Sequence, residues 1–123
     1  MNNFINPQLT KQVIIGTKSQ SRRKLFKMMN LKFQYRSANI NEKAVKNLKN
    51  DKYDALKIAK AKAIPLSKKN KNKIIITFDT TILHMGKTIY KCHTKKCCKN
   101  KLKSFNNTSH NLYTGMVFMI NNS

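Results

Sequence analysis

Acidic side chains are scarce in this sequence, which has 4 Asp or Glu residues against 26 Lys or Arg and a formal net charge of +22. Trp is absent, and Gly, Arg and Pro are each rare. A basic excess attracts polyanions, but Arg, whose planar fork suits phosphate recognition, contributes little of it here. Abundant Lys, Asn and Ile indicate a coding bias toward A and T, so we give most weight to the rare residue types.

Long hydrophobic runs are also absent. The longest apolar stretches, VII and IIITF, have the length of strands and are too short for a membrane span. The N-terminus lacks a charged segment followed by an apolar stretch, so we expect no secretory signal. The three cysteines are an odd number and two are adjacent, so we expect no disulfide framework and a reducing, cytoplasmic location.

The hydrophobic pattern of the first third predicts a strand, a loop, a helix and a second strand. Residues 12–16 form a β-branched run that ends in Gly16, and a polar turn follows. From Ser19, a suitable N-cap, to Asn30 the apolar residues share one helical face. Residues 31–35 then alternate apolar and polar side chains, which is typical of a strand with one buried face.

The remainder of the chain continues the alternation of helices and strands. We predict one helix around residues 44–48 and a second over 55–64 that Pro65 terminates, with Asp51 and Asp54 balancing nearby lysines. A buried strand over 73–79, a second strand, a Gly turn and a short strand follow. A lysine-rich helix and a C-terminal strand complete the chain. Its length of 123 residues allows one domain with its own core, and the pattern predicts an α/β fold with a mixed sheet.

The segment GTKSQSRRKLF is the first candidate for chemistry. It delivers a hydroxyl-rich loop and two of the three arginines, Arg22 and Arg23, to the start of a predicted helix. Free N–H groups at a helix N-terminus, hydroxyls and a guanidinium together suit a phosphate group. The alternative is an ordinary surface loop with an N-cap.

Asp79, at the end of the predicted buried strand, is the second candidate. Ligands of open α/β sheets bind at the carboxyl ends of the strands, where a carboxylate can hold a divalent metal or activate water. A solvated turn residue is the alternative. Glu42 is a further acidic candidate. The cluster of Cys92, His93 and the adjacent Cys97 and Cys98 lacks the CxxC spacing of structural zinc sites, so we do not predict zinc there.

Taken in order, five segments resemble the motifs of the Maf family of nucleoside triphosphate pyrophosphatases. They are GTKSQSRRKLF, NINEKAV, IAKAKAI, ITFDTTIL with GKTIYK, and SHNLYTGM, which are similar to the family's S-x-S-x-R-R, D-x-D-E, E-K-A, G-A-D-T with G-K-P, and T-H-x-V-Y-T-G blocks. The rare residues support the match, because all three glycines, Arg22, Arg23, Glu42 and Asp79 fall inside these segments.

The resemblance implies a Maf/ITPase-like mixed twisted sheet flanked by helices, with residues 1–11 as an N-terminal tail and 12–123 as a partial domain. Family members usually continue well beyond the last strand here, so we expect the C-terminal half to be incomplete. The implied reaction is metal-dependent hydrolysis of a nucleoside triphosphate to a monophosphate and pyrophosphate, a house-cleaning step for the nucleotide pool.

Site residues follow from the resemblance position by position. Asp79 and Glu42 would be the catalytic residues and would hold Mg²⁺ or Mn²⁺. Substrate binding would fall to Ser19, Arg22, Lys62 and Lys91, with Thr17 and Arg23 in support. The two aspartates of the family's D-x-D pair are Asn39 and Asn41 here, which leaves fewer carboxylates for a metal.

The partners follow from the same resemblance. They are a nucleoside triphosphate and, as one option for assembly, a second copy in a homodimer, with no membrane and with nucleic acid not expected as the main partner. Two other functions stay open: a catalytically degenerate remnant of the Maf fold that binds nucleotide without turnover, and a basic nucleic-acid-binding protein whose affinity would fall steeply with salt.

Overall fold

The computed structural model describes residues 7–123. Its helices are α1 (Pro7–Gln12), α2 (Gln20–Met28), α3 (Asp54–Lys69) and α4 (Lys95–Ser104), with one short 3-10 helix at Glu42–Ala44. Its strands are β1 (Val13–Gly16), β2 (Gln34–Arg36), β3 (Ile74–His84), β4 (Lys87–Ile89) and β5 (Asn111–Met119). Helix α1 covers part of the predicted N-terminal tail, of which residues 1–6 lie outside the described range.

A mixed sheet organises the fold around β3. Strands β1 and β2 run parallel to each other, and β1 runs parallel to the first part of β3. Strands β4 and β5 are antiparallel to β3. Because β1 and β5 both pair with residues 75–77 of β3, they occupy its opposite edges. The predicted α/β class with a mixed sheet flanked by helices is confirmed.

Helix α3 supplies the main packing layer, lying against β3 and β5. Its Ala63 and Leu66 contact Ile14, Ile75 and Met119 in a buried apolar cluster. Complete burial of a side chain such as Ile14 or Ile75 contributes about 1.5–3 kcal/mol to stability.

Gly115 permits the close approach of helix and strand. A Cβ atom at this position of β5 would lie 2.5 Å from the Cα atom of Leu56 in α3. Any side chain here would therefore push β5 away from the helix.

The sequence predicted that Pro65 terminates this helix, but α3 continues past it to Lys69. Proline lacks the N–H that would bond to the carbonyl one turn earlier, so the helix loses one hydrogen bond there. Tertiary contacts retain the last turn. Leu66 is in the core, and the Ser67 hydroxyl accepts a hydrogen bond from Asn122 N at 2.8 Å. A local bond adds to these contacts, since Asn70 Nδ2, at the end of the helix, donates to the Leu66 carbonyl at 2.8 Å.

The helix predicted around residues 44–48 is also wrong, since only the three-residue 3-10 helix forms there. The segment that follows is a loop in which Asn47 and Asn50 have positive φ angles. Asp54 holds this loop, because its buried carboxylate accepts from Lys49 N at 3.0 Å and from Asn50 N at 2.8 Å. Asp54 therefore anchors backbone as well as pairing with Lys57.

The two strands predicted on either side of Asp79 form one continuous strand, β3. The cysteines also differ from the expectation, because Cys92 and Cys97 form a disulfide with their Cα atoms 5.6 Å apart, while Cys98 is free and exposed. The turn after β4 brings Cys92 against the first turn of α4. Within residues 7–123, no helix combines the length and apolar character needed to cross a membrane.

Candidate active site

The loop between β1 and α2 forms one wall of the candidate site. Gly16 ends β1 where a Cβ atom would lie 2.6 Å from Leu66 Cδ1. Thr17 is buried, and its hydroxyl accepts a hydrogen bond from Ser19 N at 3.1 Å. As predicted, Ser19 is the N-cap of α2, where its hydroxyl accepts from Arg22 N at 3.3 Å. Both hydroxyls thus fix the loop at the N-terminus of the helix.

The two adjacent arginines point to different partners. The Nη2 atom of Arg22 donates to Thr80 Oγ1 at 2.9 Å, and its guanidinium lies over the Phe78 ring, 5.5 Å from the centroid. Arg23 instead donates from Nε and Nη2 to the Thr17 carbonyl at 3.1 and 2.7 Å. Arg22 therefore reaches toward β3, whereas Arg23 braces the loop.

Lys62 joins the two candidate catalytic carboxylates. Its ammonium lies 2.8 Å from Asp79 Oδ1 and 2.9 Å from Glu42 Oε1. Asp79 projects from β3 on the face that packs against α3, Lys62 projects from α3, and Glu42 opens the 3-10 helix. Residues far apart in the sequence thus converge on one cationic group.

The sequence predicted Asp79 at the end of a strand, but it lies in the middle of β3. The parallel neighbour β1 ends at Gly16, which pairs with Thr77. Asp79 therefore comes two residues after β3 has lost its parallel partner, and it still lies just outside the carboxyl end of β1. This is the type of position at which α/β sheets bind ligands.

Burial raises the pKa of the Asp79 carboxyl group above its ordinary value. The hydrogen bond and positive charge of Lys62 oppose this increase, the Glu42 charge adds to it, and the Arg22 charge opposes it. A carboxylate with a raised pKa is a stronger base than an exposed one, which is suited to accepting a proton from water.

A polar cleft of about 110 Å³ brings most of the predicted residues together. The predicted site residues that line it are Thr17, Ser19, Arg22, Glu42, Lys62 and Lys91. Arg23 is not among the lining residues, and Asp79 is joined to the cleft through Lys62. The cleft is small beside ordinary ligand pockets of roughly 300–1,000 Å³, so its size suits a phosphate group better than an entire nucleotide.

The cleft is also lined by residues that were not among the predicted site residues, including Lys18, Ser37, Ala38 and Ile40. Ser37 follows β2, whose carboxyl end lies beside that of β1 because the two strands are parallel. Parallel pairing of these strands would have been the signal for this residue. Thr80, the partner of Arg22, was missed as well.

The carboxylates near Lys62 suit a divalent cation in their chemistry. Both direct an oxygen at one positive group, so the Lys62 ammonium acts as a stand-in cation. Mg²⁺ in nucleotide sites is commonly held by one or two carboxylates together with substrate phosphates. Within residues 7–123 no group of three or more His, Cys, Asp or Glu side chains is arranged to hold a metal ion. Asn41, in place of a family aspartate, accepts from Lys43 N and caps the 3-10 helix.

Comparison with known proteins gives a consistent picture. A family profile described as "Maf-like protein" matches residues 12–123. A 7-methyl-GTP pyrophosphatase of Brucella suis biovar 1 is 28% identical over 114 residues, covering 89% of this chain and 57% of that protein. A dTTP/UTP pyrophosphatase of Thermosipho melanesiensis is 31% identical over 109 residues, covering 87% of this chain and 56% of that protein.

A further relative is a dTTP/UTP pyrophosphatase of Halalkalibacterium halodurans, which is 25% identical over 109 residues, covering 89% of this chain and 57% of that protein. The chain therefore spans little more than half the length of these curated relatives. The matched part contains every predicted site residue.

Proposed function

Because the chain belongs to the Maf-like protein family, we propose that it is a nucleoside triphosphate pyrophosphatase that releases a monophosphate and pyrophosphate. The observation that carries this proposal is the convergence of Asp79 and Glu42 on one cation beside a cleft lined by Arg22 and Lys91. Phosphoryl chemistry depends mainly on positioning and charge neutralisation, and this arrangement offers both.

Asp79 is the proposed general base. Its burial and raised pKa favour removal of a proton from the attacking water. Arg22, Lys62 and Lys91 would bind the phosphate oxygens from the walls of the cleft. Thr17, Ser19 and Arg23 would keep the loop at the start of α2 in the shape that presents Arg22.

We also propose that Glu42 and Asp79 hold Mg²⁺ or Mn²⁺. Such an ion, when bound, would supply positive charge to neutralise the triphosphate. The proposed setting is the cytoplasm, with non-standard or surplus nucleotides as substrates. A homodimer stays a proposal with the rest.

The test is pyrophosphate release by the purified chain from dTTP, UTP and 7-methyl-GTP, the nucleotides in the names of its relatives, with Mg²⁺ or Mn²⁺. We expect turnover of at least one nucleotide, and its loss in Asp79→Asn and Glu42→Gln. Asp51→Asn is the matched control, because it removes a carboxylate that is not among the residues lining the cleft.

Three outcomes separate the candidate functions. A folded chain that releases no pyrophosphate from any of these nucleotides or from the standard triphosphates would contradict the proposal. Nucleotide binding without turnover would instead identify a degenerate remnant. Tight binding of RNA at physiological salt, with a steep decrease as salt rises, would favour the nucleic-acid alternative.

A further inference from the structure

Lys62 occupies the position in which a cation would contact both carboxylates. Its ammonium lies 2.8 Å from Asp79 Oδ1 and 2.9 Å from Glu42 Oε1. The Lys62 side chain is 15% exposed and the Asp79 side chain 8%, so water screens their contact only partly, whereas the Glu42 side chain is 37% exposed and its contact with Lys62 is screened more. The protein therefore supplies its own positive charge to a carboxylate pair that suits a metal ion.

A free divalent cation has several obstacles at this pair. It must compete with an ammonium already bonded to both carboxylates, and it must approach that positive charge within a few ångströms. It must also give up part of a hydration shell that Mg²⁺ releases reluctantly. The +22 net charge of the chain adds a general repulsion of cations.

A bound phosphate group changes this competition, because Lys62 also lines the cleft in which we place phosphate oxygens of the substrate. Its flexible side chain can turn from the carboxylates to a phosphate oxygen without movement of α3. The substrate's negative charge attracts both the ammonium and the metal. One event can thus free the carboxylates and deliver their new cation.

We propose that Lys62 closes the Glu42–Asp79 pair to free divalent cations, so that a metal ion enters only with a phosphate-bearing ligand. Lys62 thereby sets the order of binding, in addition to its contact with substrate. The role of the phosphate ligand rests on the proposed function, whereas the exclusion of free metal does not.

Mn²⁺ alone is the first probe. We would follow Mn²⁺ binding to the nucleotide-free chain by electron paramagnetic resonance, and locate it by paramagnetic broadening of amide signals near Glu42 and Asp79. The wild type should show no broadening confined to these residues. Lys62→Met, which keeps much of the side-chain length but removes the charge, should bind Mn²⁺ more than about tenfold tighter, a change equivalent to ~1.4 kcal/mol.

Lys60→Met is the matched control, since Lys60 is exposed on the same helix and its replacement lowers the net charge equally. It should bind Mn²⁺ as the wild type does. The double variant Lys62→Met with Asp79→Asn should lose the affinity gained by Lys62→Met. Lys62→Gln serves if Lys62→Met does not fold.

In the second part, an α,β-methylene triphosphate that resists hydrolysis is added to the wild type with Mn²⁺. Broadening near Glu42 and Asp79 should then appear. Equal Mn²⁺ binding at this pair in wild type and folded Lys62→Met, both without nucleotide, would overturn the proposal. If Lys62→Met gains Mn²⁺ affinity but the wild type binds no nucleotide, exclusion by Lys62 stands and the proposed pyrophosphatase function fails.

Discussion

Asp79 combines opposing influences on one carboxyl group. Burial favours its neutral form and is the dominant effect, so its pKa is raised even though Lys62 and Arg22 favour the charged form. The proposed reaction needs this group ionised, since only the carboxylate can accept a proton. The side chain that would perform the chemistry is therefore one that the fold holds at a cost in stability at neutral pH.

Asp79→Asn should separate activity from stability. We expect kcat to fall by about 10²–10⁴-fold, the usual contribution of a general base. Because the folded pKa of Asp79 lies above its unfolded value, its stabilising effect is complete below the unfolded pKa and is lost as pH rises through the folded pKa. The asparagine variant has no such loss.

Urea unfolding from acid to neutral pH measures this difference. The free energy of unfolding of Asp79→Asn, relative to wild type, should increase as pH rises through the range in which Asp79 ionises. If the free energy of unfolding of the wild type instead increases relative to that of the variant over this range, the direction of the pKa shift is wrong. Circular dichroism of both proteins shows whether the fold is retained.

The pairing of β3 with β5 helps to fix the position of the Arg22 side chain. The register sets Thr80 directly opposite Thr114, and their hydroxyl oxygens are 2.8 Å apart. Thr80 also accepts the hydrogen bond from Arg22 Nη2. Strand β5 thus contributes to the cleft without being among its lining residues, through a chain of two hydrogen bonds.

Thr114→Val should weaken substrate binding and leave the chemical step almost unchanged. Without its hydrogen bond to Thr114, which is worth about 1 kcal/mol, Thr80 would hold Arg22 less firmly, and KM would rise roughly fivefold. Thr114→Ser should restore the wild-type KM. Thr81→Val is the control, because the buried Thr81 hydroxyl has no hydrogen-bond partner within the described part of the chain. Equal KM values for Thr114→Val and wild type would show that Thr114 does not position Arg22.

Local signals in the sequence predicted local structure well. Ser19 as an N-cap, the helix after it and the lysine-rich α4 are confirmed, because each depends on neighbours within a few residues. Pro65 was misread as a helix end because the contacts that retain the last turn of α3 come from Asn122 and the core. The helix predicted after Glu42 fails similarly, since Asp54 ties that segment into a loop.

The sequence predicted most of the residues that line the candidate cleft, but not how they are arranged. The resemblance singled out Glu42, Lys62 and Asp79 as candidates, yet nothing in their spacing indicates that one ammonium contacts both carboxylates. That contact depends on how α3 packs on β3. The different directions of Arg22 and Arg23 likewise follow from the positions of Thr80 and the Thr17 carbonyl.

One face of the sheet exposes apolar side chains, in contrast to the face covered by α3. On β5, Leu112, Met116 and Phe118 are 60%, 49% and 58% exposed. They pair across the strands with Ile82, Phe78 and Ile76 of β3, which are only partly buried. An apolar surface of this kind favours association, whereas the +22 charge opposes it.

Salt should therefore control self-association of the chain. The Debye length falls from about 10 Å at 0.1 M salt to about 3 Å at 1 M, which removes most of the repulsion between copies and leaves the apolar attraction. We expect sedimentation velocity to show a larger weight-average mass at about 1 M NaCl than at about 0.1 M. Met116→Thr with Phe118→Thr, which keeps residues suited to a strand, should abolish most of this increase.

The comparison variant is Met28→Thr with Leu102→Thr, which removes two apolar residues that are 72% and 69% exposed on α2 and α4. It replaces the same number of exposed apolar side chains but leaves the β5 face unchanged, so its weight-average mass should increase with salt as that of the wild type does. If both double variants reduce association equally, general hydrophobicity is responsible and the sheet face is not. An increase in mass toward low salt would show that charge drives association, because screening can only weaken an attraction between charges.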